Sequence, residues 1–147
     1  MLTRNQIIDY TVRMGCKREL AQKGMVVSPS GDVFCIATLK GPYRNGIYYA
    51  NGQLSPKEVR YFGVNSLRAT GPLDITDAEA RKNIAVTKTD GVDKFVYFFE
   101  KTGFYTNDFY FHGRYKYISY DLVDNNDENR PQDIIFHLSF VDRPVLK

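Results

Sequence analysis

The chain has 147 residues, enough for one domain with its own core, and a net charge of +3 with 25% charged residues. No apolar run approaches the roughly 20 residues of a membrane-spanning helix, and no leader-like apolar segment opens the chain, so a helical membrane protein is excluded and a cytoplasmic address is expected. The 11 Tyr and 10 Phe, with no Trp, favour strands over helices.

In chain order, the first predicted element is a helix from Thr3 to Gly15. Thr3 and Gln6 have the spacing of a capping box, and Ile7, Ile8 and Val12 form a narrow apolar face. The stretch Met14 to Gly24 is basic and reads as a short helix or a loop. Short strands are expected at Met25 to Val27, Val33 to Leu39, Ile47 to Ala50 and Val59 to Phe62, with Asn51-Gly52 as a turn dipeptide. A second helix opens near Ile75, where Thr76 and Glu79 repeat the capping-box spacing and Ala80, Ile84 and Ala85 are expected to face inward. Asp90-Gly91 marks the break after it.

The last third reads as three strands, Phe95 to Glu100, Phe109 to Tyr120 and Ile134 to Val141. Strict alternation along the middle strand puts Phe109, Phe111, Tyr115 and Tyr117 on a core face. Tyr110, His112, Arg114, Lys116, Ile118 and Tyr120 then form a basic, aromatic-studded surface. Asp121 to Asp133, acidic and rich in Asn, reads as a solvated loop. Six to eight short strands and about two helices, without βα alternation, predict an α+β fold: a curved, mostly antiparallel sheet or partial barrel. A single domain over residues 1–147 is expected. The ending Arg143-Pro-Val-Leu-Lys147, directly after a strand, suits the N-terminal fragment of a longer protein.

Catalytic signatures are sparse. There is no G-x-S-x-G elbow, phosphate-binding loop or dinucleotide fingerprint, and Asp124, Asp127 and Glu128 read as a solvated acidic stretch rather than a metal site. Cys16, Cys35, His112 and His137 lack the close pairing of zinc ligands, and the two cysteines are read as buried thiols. No metal, cofactor or catalytic residue is expected. Binding features are richer. Residues 1–72 carry ten Lys/Arg against four Asp/Glu, whereas residues 73–147 carry ten against thirteen, an asymmetry that points to a nucleic-acid face. Lys17, Arg18 and Lys23 form a cluster suited to phosphates, and Tyr48 and Tyr49 precede the Asn51-Gly52 turn with Arg44 nearby in sequence.

Taken in order, Thr3-Arg4, Pro29-Ser30, Gly41-Pro-Tyr43, Tyr49-Ala-Asn-Gly-Gln53, Asn83-Ile-Ala, Phe111-x-Gly-x-Tyr115 and Phe136-x-Leu138 form a series. This series resembles the sulfur-binding domains of type IV restriction endonucleases, whose SRA/PUA-like fold is shared with methylcytosine readers. The resemblance spans nearly the whole chain through short motifs. It implies an SRA/PUA-like reader of phosphorothioate-modified double-stranded DNA, with a nuclease domain (HNH-type) in the same or a partner chain. Carried over, it puts Arg4 beside the modified phosphate, Tyr49 and Ala50 as the apolar platform, and Gln53 at its edge. Thr3, Lys17, Arg18, Lys23, Arg44, Tyr48 and Asn51 would touch the DNA backbone or groove. The chain departs from the family pattern at Ala50, where proline is expected, at the larger Gln53, and in the more basic Met14–Gly24 stretch. Two other readings remain open from the residues: recognition of a methylated or otherwise modified base by flipping, and a protein-interaction domain that binds no nucleic acid.

Overall fold

A computed structural model describes residues 1–18, 24–37, 47–50, 53–62, 80–102, 107–124 and 132–146. Residues 47–50, 53–62, 80, 123–124 and 132–133 are described through their backbone alone. The elements are β1 (Leu2–Thr3), α1 (Arg4–Arg13), β2 (Met25–Val27), β3 (Val33–Ala37), β4 (Ile47–Ala50), β5 (Gln53–Phe62), α2 (Ala80–Thr87) with a 3-10 turn at Lys88–Asp90, β6 (Val96–Lys101), β7 (Asp108–Asp124) and β8 (Gln132–Asp142).

Among the described residues, the strands form one eight-stranded sheet in the order β2-β3-β6-β7-β8-β5-β4, with β1 added against the start of β7. Every pairing is antiparallel except β3 with β6. This is the α+β, mostly antiparallel open sheet that the sequence predicts.

The first helix forms where its cap signals say. The Thr3 hydroxyl accepts from the Gln6 backbone N–H at 3.2 Å, and Gln6 Oε1 accepts from the Thr3 N–H at 2.8 Å. The helix stops at Met14, with Gly15 at φ +98° directly after it. Its inner face lies on one side of the sheet, where Ile7 joins Val26, Phe34, Ile36, Tyr97, Phe99 and Phe109. The alternate residues of the same strands, Met25, Val33, Cys35, Val96 and Phe98, face the other side and pack with Val86 of α2 and with Tyr115, Ile134, Phe136 and Leu138. Strand β3 is therefore buried on both faces, between the two helices, and all five of its side chains are apolar. Each fully buried Phe in these layers contributes about 1.5–3 kcal/mol of transfer free energy.

Two expectations are corrected here. The middle strand does not keep one parity. Phe98 pairs with Gly113 but Phe99 pairs with Phe111, so His112 is an extra residue at a bulge, and Gly113 adopts φ +126°. One inserted residue moves the side chains after it to the opposite face. A second extra residue, Ile118, between Tyr117↔Leu138 and Ser119↔His137, reverses the parity again, so that Tyr120, expected on the surface, packs against the same cluster as Tyr117. Phe109 and Phe111 thus lie with α1, whereas Tyr115 and Tyr117 lie with α2, and His112 is buried rather than on the surface. The second correction concerns Asp121 to Asp133. Asp121 to Asp124 extend β7 and pair with Ile135 to Gln132 of β8, so both ends of that acidic stretch are strand; residues 125–131 lie outside the described residues. The expected opening of the second helix at Ile75–Glu79 also lies outside them. Within α2, Asn83 and Val86 are the buried positions, while Ile84 and Ala85 are half-buried.

The strand expected at Val59–Phe62 is longer, Gln53–Phe62. Its pairing with β4 slips between Ile47↔Val59 and Tyr49↔Leu54. Pro56, which has no N–H to give a ladder, falls inside that irregularity.

Candidate nucleic-acid interface

The two groups of residues singled out from the sequence approach one end of the sheet by different routes. Strand β1 pairs with β7 through Leu2↔Phe109 and Thr3↔Asp108, beyond the point where Arg114 of β7 meets Asp142 of β8. Arg4, the half-buried first residue of α1, begins there. Strand β5 runs against β8 with Glu58 opposite Ser139 and Phe62 opposite Ile135, so its first residue, Gln53, lies toward the Asp142 end. Ala50 pairs with Gln53. The onset of α1 and the Ala50–Gln53 end of the β4–β5 hairpin therefore flank the same end of the sheet.

The remaining residues fall differently. The Thr3 hydroxyl is engaged in capping α1. Lys17 is exposed after the helix, and Arg18 is paired with Asp9 across the surface, both side chains about half exposed (55% and 51%). Tyr48 and Tyr49 are consecutive residues of β4. Lys23, Arg44 and Asn51 lie outside the described residues.

The expected basic face of β7 is largely occupied by internal contacts. Arg114 makes a two-pronged hydrogen bond to the Asp142 carboxylate and stacks over Phe95 at 4.1 Å. That hydrogen-bonded guanidinium holds the Asp142 carboxyl below its ordinary range. Lys116 Nζ lies over the same ring and donates to the carbonyls of Gly91, Val92 and Lys94. These cations staple the segment before β6 to the sheet.

Among the described residues, no group of three or more His, Cys, Asp or Glu is arranged to hold a metal ion. Cys16 and Cys35 are not joined in a disulfide; both are buried, in different clusters on opposite faces of β3. Burial pushes the Cys16 thiol up, away from the reactive thiolate. His112 approaches Glu100 at 3.4 Å, and His137 meets Asp121 at 2.6 Å. The four zinc-type residues do not converge. Of the acidic stretch, Asp124 closes β7, and Asp127 and Glu128 lie outside the described residues.

Sequence reasoning missed one concave feature. The turn after β2 and the outer face of α2 border an open cleft of about 540 Å³, lined among the described residues by Val27, Pro29, Ile84, Ala85 and the cations Arg81, Lys88 and Lys94, with Ser28 and Gly31 between. The spacing of Arg81, Ile84, Ala85 and Lys88 was a signal, since residues three, four and seven apart share one helix face. Nothing in the sequence announced which turn would lie opposite.

Structural comparison places this architecture among known folds. The chain superposes over 81% of its length on 32% of a MspJI restriction endonuclease in complex with a 27-mer oligonucleotide, at 14% identity and a TM-score of 0.50. It superposes over 86% of its length on 80% of the SUVH5 SRA chain in a methylated CHH DNA complex, at 14% identity and 0.51. With KRYPTONITE, in complex with mCHH DNA, an H3(1-15) peptide and SAH, it shares 88% of its own length and 31% of that chain, at 13% identity and 0.51. The fold is SRA-like. The chain spans about a third of the MspJI and KRYPTONITE chains. No protein-family model and no curated protein sequence matches it.

Proposed function

We propose that this chain is a non-catalytic module that reads a chemical mark on double-stranded DNA. The carrying observation is the SRA-like sheet, one end of which is flanked by the α1 onset with Arg4 and by the Ala50–Gln53 hairpin end. The excess of Lys and Arg in residues 1–72 supports it, because backbone phosphates are gripped without sequence information by such charges. Cleavage, where it accompanies reading, belongs to a nuclease domain elsewhere in the same or a partner chain.

The finer reading is a phosphorothioate mark. Sulfur in place of a phosphate oxygen is larger, more polarizable and a poorer acceptor. A platform of Tyr49 and Ala50 favours it, whereas an ordinary oxygen buried there would lose its hydrogen bonds to water. Arg4 supplies the compensating charge. A second reading, a methylated base flipped from the stack, is favoured by the two compared structures that hold methylated DNA.

One binding panel tests both: identical duplexes carrying no mark, a backbone sulfur or methylcytosine, titrated at two salt concentrations. A preference for the sulfur duplex that disappears in Arg4→Ala and Tyr49→Ala, with residual salt-sensitive DNA affinity, is the expected result. Preference for methylcytosine moves the assignment to the second reading. Equal affinity for all three duplexes removes the reader function altogether.

A further inference from the structure

Between the two elements that flank the sheet end lies Arg143, an exposed cation that no sequence motif singled out. It directly follows Asp142, the last residue of β8. The Arg143 Nε–H donates to the His112 carbonyl oxygen at 3.3 Å, at the bulge of β7. Strand β1 meets β7 a little earlier, at Leu2↔Phe109, and runs straight into Arg4. On the other side, β5 starts at Gln53, toward the Asp142 end of β8. Arg143 therefore stands between the α1 onset and the Ala50–Gln53 hairpin end.

Neighbouring contacts say which face it joins. Arg114 stacks over Phe95, which packs with the α1 cluster, and Asp142 is bound to Arg114, so the Asp142 carboxylate is held on the α1 face. Alternation then puts Arg143 on the opposite, α2 side. The electrostatics agree: burial raises the Tyr115 hydroxyl, Arg143 offsets part of that rise, and Tyr115 belongs to the α2 cluster. Tyr110 shares this face. It pairs with Glu100, two residues on from Phe98 of the α2 cluster, and its ring lies 6.3 Å from that of His112. The His112 ring in turn lies 5.6 Å from Phe98. At 51% exposure, Tyr110 presents a large aromatic surface beside the residue that holds Arg143.

We propose that Arg143 holds a backbone phosphate of duplex DNA and that the Tyr110 ring packs against the sugar of the adjoining nucleotide. This rests on the DNA-reading function and adds to it the face of the sheet end along which a strand runs. A guanidinium has five donors in a planar fork, so one N–H can fix it to the His112 carbonyl while others meet a phosphate. Fixing it beforehand reduces the side-chain freedom lost on binding. The tyrosine ring offers apolar area with little rotamer freedom to lose. Phosphate contacts position a duplex without reading it. Arg143 therefore serves grip and register, and discrimination of the mark stays with Arg4 and Tyr49.

Duplex affinity of the full chain, measured from about 50 to 200 mM salt, tests the contact. Arg143→Gln should reduce the slope of log affinity against log salt by about 0.9, the amount for one phosphate. It should weaken unmarked, backbone-sulfur and methylcytosine duplexes by the same factor, about tenfold. Arg143→Lys, which keeps the charge, should keep the slope. Tyr110→Ala should weaken binding about three- to tenfold without changing the slope, and Tyr110→Phe should restore it. Lys88→Gln removes an equal charge beside Thr89, which accepts from the Tyr117 N–H farther along β7, and should leave the slope unchanged. Thermal unfolding checks that each variant is folded. An unaltered slope in Arg143→Gln, an equal fall in Lys88→Gln, or a loss confined to one marked duplex overturns the contact and leaves DNA reading standing. No duplex affinity in the unsubstituted chain overturns both.

Discussion

Replacing Gly113 with alanine tests the account of β7 at its pivot. An added Cβ would sit 2.5 Å from the Asp142 carbonyl oxygen and 2.7 Å from Phe140 Cε2, and the backbone φ of +126° is one that L side chains rarely adopt. Neither neighbour gives easily. The carbonyl belongs to the last residue of β8, and the Phe140 ring packs edge-on against buried Tyr115. Strain at such a φ costs about 1–3 kcal/mol, and overpacking a dense site costs about 1–3 kcal/mol more. The sum, about 2–6 kcal/mol, lowers the melting temperature by roughly 4–24 °C for a domain of this size. Urea unfolding followed by circular dichroism measures it, with Gly24→Ala as the reference. There the nearest heavy atom to an added Cβ is the Ile36 carbonyl oxygen at 3.9 Å, so the effect should stay within about 1 kcal/mol. A loss below about 1 kcal/mol for Gly113→Ala would refute the argument that this residue permits the bulge and the change of face.

Removing the Asp32 carboxylate with Asp32→Ala strips an acceptor from the Phe95 N–H and from Ser30. A destabilisation of about 2–4 kcal/mol is expected in thermal unfolding, partly restored by Asp32→Asn, whose amide oxygen still accepts. Asp142→Asn should cost less than about 1 kcal/mol at pH 7, because the Asp142 side chain is 45% exposed and its attraction to Arg114 is screened. Its carboxyl is held low by that guanidinium. The contribution is therefore complete above the unfolded value near 4 and disappears as pH falls through the lower folded value. A wild-type advantage that stays constant down to pH 2 would contradict the pairing. Burial pushes the Tyr115 hydroxyl up to about 12. Between the unfolded value near 10 and that folded value, rising pH favours the unfolded chain, so stability should fall across pH 10–12. Unfolding midpoints that do not move over this interval would contradict the burial.

The legible parts of the sequence were those governed by neighbours in the chain. Thr3 and Gln6 announced the start of α1 because a cap is a contact over three residues. Val33 to Ala37 and Phe95 to Glu100 read as strands from their β-branched and aromatic runs. The acidic stretch after Tyr120 misled because composition reports solvation, and a two-stranded extension can be solvated on one side while still paired. Of the residues marked for DNA, Arg4, Ala50 and Gln53 come to one end of the sheet through the β1–β7 and β5–β8 registers, and no local signal encodes those registers.

Local chemistry therefore determined where α1 starts and where β2, β3 and β6 form, that the two thiols are buried, and that charge gathers in the amino-terminal half. Tertiary structure alone decided which face each side chain of β7 meets, because extra residues at His112 and at Ile118 each invert a period of two. It also decided that Lys94 and the Ser28–Gly31 turn stand opposite α2. That meeting depends on the parallel pairing of β3 with β6, strands about sixty residues apart in the chain, and the free energy of such a pairing lies in two-sided burial, not in any single segment.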